Sequence, residues 1–443
     1  MKIGFFPLSG IRVCDTELLR LGLTLPGFVE RSRTIASLPS LGLLTLAGMT
    51  PSRHTIRYME VPDVKTLSDL PADLDLAAIS SYSAQMDEAY ELARRFKALG
   101  VPTVIGGPHV TALPDEAAEH ADAVVIGEGE AAWPQVLEDA ERGRLQRFYR
   151  SAPDSFDMST APMPAFELLD LTKYNRLTVQ TSRGCPHQCE FCASSVLLTD
   201  RYKQKPAARV LAEIEKILSL WKQPFLEFAD DNSFVHHAYW KDLLPALRGK
   251  GLRWFAETDL SVAQDGELLD LMRETGCAQV LIGLESPNET GLRGLETRSD
   301  WKRKKFPLYR DAIRTIQSHG ITVNGCFVIG LDGQTGGIFD EVMTFVRESE
   351  LYEVQVTLLT PFPGTPLYAR LEKEQRLLEP RNWKKCTLFD INFRPSPMSG
   401  QELHAGFRKL AVELYNEEFT NWRRNRFRQA LRTRRPAARG DRA

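Results

Sequence analysis

The stretch "TSRGCPHQCEFCASS", residues 181–195, places three of the chain's seven cysteines within eight residues. They are Cys185, Cys189 and Cys192, and no fourth cysteine lies beside them. Thiolates are soft ligands that select zinc, copper(I) or an iron–sulfur cluster. A closed zinc site takes four ligands and a [4Fe–4S] cluster normally takes four cysteines. Three thiols therefore predict a site with one open position, with His187 as an alternative fourth ligand.

The composition of the chain excludes several classes of protein. A length of 443 residues predicts two domains and a tail, and 43% apolar with 26% charged residues is typical of a soluble globular protein. A net charge of −2 gives no electrostatic case for nucleic acid or a membrane surface. No apolar run reaches the ~20 residues that span a bilayer, and the start does not resemble a signal peptide. Few, scattered cysteines favour a reducing compartment, so we expect a cytoplasmic protein.

The first part of the chain alternates short apolar runs with helical patterns. This alternation predicts an α/β fold whose N-terminal domain, residues 1–142, is a Rossmann-like doubly wound parallel sheet. In such a sheet the ligand crevice lies at the carboxyl ends of the strands. The predicted strand ends carry small or polar residues, which are Ser81, Gly106, Gly107, Gly127, Glu128 and Gly129.

Three further segments follow. Residues 143–176 contain prolines and no strong periodicity, which predicts a linker. Residues 177–375 repeat strand and helix patterns six times, which predicts a partial (β/α)6 TIM-type barrel with functional groups at its strand ends. Residues 376–443 predict a helical C-terminal segment with an arginine-rich tail. We interpret the tail as a solvated, frayed terminus, and an arm for an anionic partner is the alternative.

The cysteine pattern is shared with a known family. C-x3-C-x2-C with an aromatic residue before the last cysteine resembles the signature of the radical S-adenosylmethionine (SAM) enzymes. The stretches "VIGGPHVTALPDEAAEHADAVVIGEGE" and "PFPGTPLYARLEKEQRLL" are similar to stretches of the class in which a cobalamin-binding domain precedes the barrel. The resemblance covers roughly residues 1–400. It implies three cofactors: a [4Fe–4S] cluster on the three cysteines, SAM on its fourth iron, and cobalamin.

The resemblance also implies positions for the cofactors. Asp231 and Asn232 correspond to a motif that binds the SAM amino group, although they could instead cap the next helix. The residues implied at the SAM site are Phe191, Asp231, Asn232, Glu257, Glu285, Ser286 and Val328, of which Val328 is equally typical of a plain core strand.

The cobalamin site departs from one common pattern. No D-x-H-x-x-G motif is present, so no histidine ligand to cobalt is expected. The residues implied at the cobalamin site are Ser81, Gly106, Gly107, His109, Gly127, Glu128 and Gly129, because small residues let a backbone approach a bulky nucleotide tail. The alternative is a Rossmann-like domain that binds nothing.

The predicted activity is methyl transfer to an unreactive carbon or phosphorus atom of a small molecule. A one-electron reductant such as flavodoxin or ferredoxin is implied, and no nucleic-acid or membrane partner is expected. Three other SAM-radical reactions remain as alternatives: rearrangement, ring contraction and 3-amino-3-carboxypropyl transfer. A metal-sensing binding protein is the alternative from another class. No residue is assigned as catalytic.

Overall fold

The computed structural model describes residues 1–20, 38–193, 199 and 201–434. These residues form two compact units that interleave along the chain. The first unit contains the described residues up to Asp231 together with Thr360–Phe393. The second contains Asn232–Leu359 and the described residues from Arg394 onwards.

The first unit contains a six-stranded parallel sheet in the order β2-β1-β3-β4-β5-β6. Its strands are β1 Lys2–Pro7, β2 Thr55–Tyr58, β3 Leu76–Ser80, β4 Thr103–Gly106, β5 Ala123–Ile126 and β6 Phe148–Arg150. The central strands are apolar on both faces because helices cover both faces, and a separate core cluster lies on each side. The predicted Rossmann-like sheet is confirmed.

The helices of this unit separate the strands as the sequence pattern predicts. They are Thr16–Arg20, Leu41–Met49, Met86–Ala98, Pro108–Ala112, Pro114–Ala118, Gly129–Glu141, Ala207–Leu220 and Pro366–Lys373.

Strand β6 lies within the segment that the sequence predicts as a linker. Its middle residue, Tyr149, is buried, and its hydroxyl donates to the Asp139 carboxylate at 3.0 Å. The strand has only three residues, so its alternation is too short to stand out in the sequence.

The remaining strands form a second parallel sheet in the order β14-β13-β12-β11-β10-β7 and a small antiparallel pair, β8 with β9. Their bounds are β7 Leu177–Val179, β8 Ser182–Arg183, β9 Lys203–Gln204, β10 Phe225–Phe228, β11 Arg253–Thr258, β12 Cys277–Glu285, β13 Thr322–Ile329 and β14 Glu353–Leu358. The helices of the second unit are His237–Leu243, Gly266–Glu274, Trp301–Lys305, Tyr309–Ser318, Ile338–Ser349, Gly400–Tyr415 and Glu417–Arg434. Six parallel strands with intervening helices match the predicted partial barrel.

One face of β13 in the second unit packs on the helix Ile338–Ser349, and its other face points away from that helix. Phe327 of β13 packs on Phe345 of the helix Ile338–Ser349, with ring centroids 5.6 Å apart. Side chains alternate along a strand, so Asn324, Cys326 and Val328 share the opposite face. This opposite face carries the polar residues considered below.

The end of the chain is more ordered than expected. The side chain of Arg423 is fully buried, and its Nη2 lies 3.4 Å from Glu353 Oε1. The expectation of a frayed terminus is therefore wrong for this part of the tail, because a buried carboxylate on β14 pairs with the arginine. Residues 435–443, which complete the predicted tail, lie outside the described residues. No helix in the described part of the chain is long and apolar enough to span a membrane.

Candidate functional site

The three clustered cysteines lie on one loop after β8. None of the three forms a disulfide; Cys189 is buried, and Cys185 and Cys192 are partly exposed. The Cys192 amide donates to the Cys189 carbonyl at 3.1 Å, which turns the loop back on itself. Gly184 has a φ of +91°, and a Cβ there would lie 2.8 Å from the Arg201 carbonyl oxygen, so only glycine fits. Within the described residues, no three His, Cys, Asp or Glu side chains are grouped to hold a single metal ion.

Two carboxylates after β10 brace the start of this loop. Asp230 accepts from the amides of Thr181 and Ser182 at 2.7 and 2.8 Å. Asp231 Oδ2 accepts from the Gly184 amide at 2.8 Å. The expected SAM contact of Asp231 stays a prediction, and its carboxylate also positions the residue next to Cys185. The role of Asp230 was missed, although its place directly after a strand was a usable signal.

The middle of the loop has a second anchor. Glu190 makes a bidentate ion pair with Arg370, whose Nε and Nη2 lie 3.1 and 2.6 Å from the two carboxylate oxygens. The Leu367 amide also donates to the Glu190 carbonyl at 3.0 Å. The sequence did not predict this ion pair because Glu190 and Arg370 are 180 residues apart.

In the second unit, Asn232 is buried and donates to Asp259 Oδ2 at 2.8 Å. The alternative that it caps a helix is wrong. The next helix begins at His237, its N-cap residue is His236, and no side chain makes a capping hydrogen bond there.

Glu285, at the end of β12, forms a buried ion pair that the sequence did not predict. Lys302 Nζ donates to Glu285 Oε1 at 2.6 Å and to the Gly283 carbonyl at 2.9 Å. Glu285 has a φ of +63°, a left-handed conformation that costs a non-glycine residue of order 1–3 kcal/mol and that clusters at functional sites. The surrounding fold thus holds this carboxylate in a specific and strained position.

A thiol and several polar groups share the face of β13 and β14 that lies opposite the face packed on the helix Ile338–Ser349. Burial raises the pKa of Cys326, the carboxylates of Glu285 and Glu257 raise it further, and Lys302 opposes them. On the same face the side-chain oxygens of Asn324 and Gln355 are buried without a hydrogen-bond partner among the described residues. Buried acceptors of this kind are costly unless a ligand or water satisfies them, so the face suits a ligand with hydrogen-bond donors.

Ser286 and Val328 contribute to the support of this region. Ser286 is fully buried, and its hydroxyl lies 3.4 Å from Nε2 of Gln334, which also donates to the Val328 carbonyl at 3.2 Å. Gln334 Oε1 in turn accepts from the Gly330 amide at 2.8 Å. Ser286 was predicted to face SAM, and Val328 was predicted to support its adenine through backbone contacts. The Ser286 hydroxyl also lies 3.3 Å from Asn288 Oδ1, and its expected contact with SAM stays a prediction.

The carboxyl end of the first sheet brings the predicted small residues together. Ser80 pairs with Gly106 in the register of β3 and β4, so Ser81 and Gly107 follow at adjacent positions. Gly107 has φ +130° and ψ 179°, a region that is essentially restricted to glycine, and Gly127 has φ +84°. These turns expose backbone where a side chain would otherwise project.

Tyr82 is a feature of this end that the sequence analysis missed. It follows Ser81 directly and is 56% exposed. The surrounding protein and the carboxylate of Glu227 nevertheless raise the pKa of its phenol. An exposed aromatic ring beside glycine turns fits a large, partly apolar ligand such as a corrin.

His109 is buried, and both of its ring nitrogens have partners within the fold. Nδ1 lies 3.1 Å from Ser83 Oγ, and Nε2 lies 3.3 Å from Glu116 Oε1. Glu116 also accepts from Trp383 Nε1 at 3.0 Å. The structure thus gives His109 a supporting role, and its expected contact with cobalamin stays a prediction.

Comparisons with known proteins agree with this geometry. A model of the radical SAM superfamily matches residues 179–346, and a model of the B12-binding domain matches residues 36–137. Residues 365–442 match a domain of unknown function, DUF4070. Both named domains fall within the domains predicted from the sequence.

Two relatives that match over about two thirds of their own length are methyltransferases by name. An uncharacterized methyltransferase of Synechocystis is 32% identical over 369 residues, which cover 81% of this chain and 67% of the relative. The hopanoid C-2 methylase of Rhodopseudomonas palustris is 30% identical over 357 residues, with 78% and 67% covered.

The chain belongs to the cobalamin-dependent radical SAM methyltransferases.

A solved member has the same fold. The radical SAM methyltransferase TsrM from Kitasatospora setae, with cobalamin and a [4Fe–4S] cluster bound, superposes with a TM-score of 0.66 at 15% identity over 94% of this chain and 90% of TsrM. The cofactors of this radical SAM enzyme are a [4Fe–4S] cluster, SAM and cobalamin. Three cysteines on one loop, none in a disulfide, suit the cluster, and glycine turns beside an exposed tyrosine suit cobalamin.

Proposed function

We propose that this enzyme transfers a methyl group to an unreactive carbon or phosphorus atom of a small-molecule substrate. The observation that carries the proposal is a loop with three clustered cysteines, none in a disulfide, in the same chain as a sheet whose carboxyl end is formed by glycine turns and an exposed tyrosine. When bound, the cluster supplies the electron that cleaves SAM, and cobalamin carries the methyl group.

The residues of the thiol loop have distinct roles in this proposal. Cys185, Cys189 and Cys192 each bind one iron, and Phe191, which is partly exposed, shields the cluster from water. The loop is held in place by Asp230 at its start.

SAM is bound by carboxylates and amides at the strand ends. Asp231 and Asn232 accept hydrogen bonds from its ammonium group, since ionised partners make the stronger bonds. Glu285, fixed by Lys302, and Glu257 contact the ribose or carboxylate region. Val328 supports the adenine through its backbone.

Cobalamin is bound mainly by backbone and small side chains of the first sheet. Ser81 hydrogen-bonds the nucleotide tail, and Gly106, Gly107 and Gly127 let the backbone approach it. Because the sequence has no D-x-H-x-x-G motif, we expect no histidine of this chain to be a ligand of cobalt.

A one-electron donor such as flavodoxin or ferredoxin completes the proposed system, and the enzyme works in the reducing cytoplasm without a nucleic-acid partner. Thiol ligands and a reducible cluster are stable there.

The experiment is anaerobic reconstitution with iron, sulfide and cobalamin, followed by the ultraviolet–visible spectrum of the purified protein. We expect absorption from both cofactors. Incubation with methyl-labelled SAM and a reductant is then expected to give 5′-deoxyadenosine and label in the cobalamin fraction. If 5′-methylthioadenosine is the main product, or if no cobalamin is retained when it is supplied in excess, the proposal of methyl transfer is wrong.

A further inference from the structure

A buried group of charges in the first unit joins the turn after β5 to the loop of three thiols. Its centre is Glu128, whose side chain is 2% exposed. Glu128 Oε1 accepts from Arg183 Nη1 at 3.0 Å and from Lys203 Nζ. Its other oxygen, Oε2, accepts from the Phe156 amide at 2.9 Å. Both oxygens of this carboxylate are therefore satisfied by the protein.

The two cations of the group have further partners. Arg183 Nη2 donates to Glu130 Oε1 at 2.7 Å, and Lys203 Nζ lies 3.7 Å from Asp154 Oδ1. Burial would raise the pKa of Glu130, but the charge and hydrogen bond of Arg183 lower it. Three carboxylates therefore surround two cations in a region with little solvent, where such interactions are only weakly screened.

The positions of these residues connect the thiol loop with the turn after β5. Arg183 and Lys203 face each other in the register of β8 and β9, and Arg183 lies two residues before Cys185. Glu128 directly follows Gly127, whose φ of +84° forms the turn at the carboxyl end of β5. One carboxylate thus fixes both strands that frame the thiol loop, and it does so from the turn assigned above to cobalamin.

We propose that Glu128 is a positioning residue that couples cobalamin binding to assembly of the iron–sulfur cluster. The inference rests on the proposed function, and it replaces a direct contact between the Glu128 side chain and cobalamin by an action through Arg183 and Lys203. In this coupling, cobalamin packs against the turn at Gly127, that turn carries Glu128, and Glu128 holds the β8–β9 pair in the geometry that presents the thiols. By linkage, the cluster strengthens cobalamin binding by the same factor.

The test compares Glu128→Gln with the wild type and with Glu138→Gln. Gln keeps the shape and the hydrogen bond from the Phe156 amide but removes the charge. Glu138 lies on the helix that follows Glu128, and its ion pair with Arg142 is on the surface, so it is a matched control. For each protein the dissociation constant of cobalamin is measured before and after cluster reconstitution, and iron and sulfide are measured with and without cobalamin.

We expect the cluster to tighten cobalamin binding in the wild type and in Glu138→Gln by a factor of about 5–150, the usual range of coupling between two sites. In Glu128→Gln the factor falls to about one, and iron affinity falls by about 10–100-fold, as for other groups that orient metal ligands. A purely structural role would lower the melting temperature and leave the coupling factor unchanged in the folded fraction.

If Glu128→Gln does not fold, Arg183→Lys is used instead, because it keeps the charge but loses the fork that contacts two carboxylates. Equal coupling in the wild type and the folded variant, or no coupling in a wild type that binds both cofactors, overturns the inference alone. A wild type that binds neither cofactor overturns the proposed function as well.

Discussion

The carboxyl ends of the two parallel sheets are formed by different types of residue. In the first sheet the ends are glycine turns, such as Gly107 and Gly127, with the exposed ring of Tyr82 beside them. In the second unit the strand ends carry charged groups held in fixed positions, of which the buried pair Glu285–Lys302 is the clearest case.

Under the proposed function, the difference predicts how each end would recognise its ligand. A surface of backbone and small residues recognises shape, so it is sensitive to any added volume. A surface of oriented charges recognises polar groups, so it is sensitive to a lost charge even when the volume is conserved. The predictions below use this contrast, and the thiol loop gives the largest effect because its ligands bind metal directly.

The largest effect is expected for the thiol loop. Replacing Cys185, Cys189 or Cys192 by Ala should abolish SAM cleavage, since each thiol is proposed to bind one iron and no other cysteine is nearby in sequence. The measurement is 5′-deoxyadenosine formation with a chemical reductant, together with iron content. Cys277→Ala is the control, because Cys277 is fully buried and its thiol lies 3.6 Å from the Gln279 carbonyl. A triple variant that still builds a full cluster would contradict the assignment.

The second effect concerns shape at the first sheet. Gly107→Leu should prevent cobalamin binding, because the side chain would project at the strand end and the backbone conformation costs a non-glycine residue about 1–3 kcal/mol. The iron content of this variant should change much less than its cobalamin binding. Gly143→Leu is the control: Gly143 also has a positive φ, of +64°, with no atom near an added Cβ. Cobalamin uptake that is equal in the two variants would show that Gly107 does not face the ligand.

The third effect concerns charge at β12. Glu285→Ala should weaken SAM binding by about 1–3 kcal/mol, the cost of leaving a buried partner unsatisfied. Lys302→Met should weaken it by a similar amount, because Glu285 then loses the cation that orients it. The measurement is the SAM dissociation constant of the folded protein, with the melting temperature recorded separately. If Lys302→Met lowers only the melting temperature, the Glu285–Lys302 pair is structural. SAM affinity then does not depend on the geometry of this pair.

Local patterns in the sequence predicted the repeating parts of the fold, but they could not predict contacts between distant segments. Strand and helix periodicity predicted both parallel sheets, and the spacing of the cysteines predicted the thiol loop. The short strand β6 was missed because three residues carry too little pattern. The anchors of the loop were missed for a different reason. Glu128 with Arg183, and Glu190 with Arg370, are ion pairs between distant segments, and no local pattern specifies which charges meet.

Resemblance also assigned roles to residues for which the structure adds contacts within the protein, and those roles stay predictions. Ser286 and His109 were predicted at cofactor sites because of their places at strand ends. In the structure the Ser286 hydroxyl contacts Gln334, and His109 contacts Ser83 and Glu116. A position at a strand end is encoded in the sequence, but the direction of a side chain depends on its packing partners.

The smallest effect is expected at Glu116, which supports the first sheet without forming its ligand surface. Its carboxylate accepts from His109, from Tyr90 at 3.1 Å and from Trp383. Burial would raise the pKa of Glu116, but the hydrogen bonds from His109 and Tyr90 lower it. A folded-state pKa below the unfolded value of about 4.3 stabilises the protein above that pH, and this stabilisation is lost as the pH falls through the folded pKa.

Glu116→Gln should therefore lower the free energy of unfolding at neutral pH by about 1–2 kcal/mol, the net value of hydrogen bonds to a charged group. Its loss of stability between about pH 5 and pH 3 should be shallower than that of the wild type, because the titrating group is absent. Urea unfolding at several pH values measures both effects. Cobalamin affinity should stay unchanged, since the glycine turns are untouched. A clear loss of cobalamin affinity in this variant would instead place His109 at the ligand surface, as the resemblance first implied, and the first sheet would then recognise its ligand by polar side chains as well as by shape.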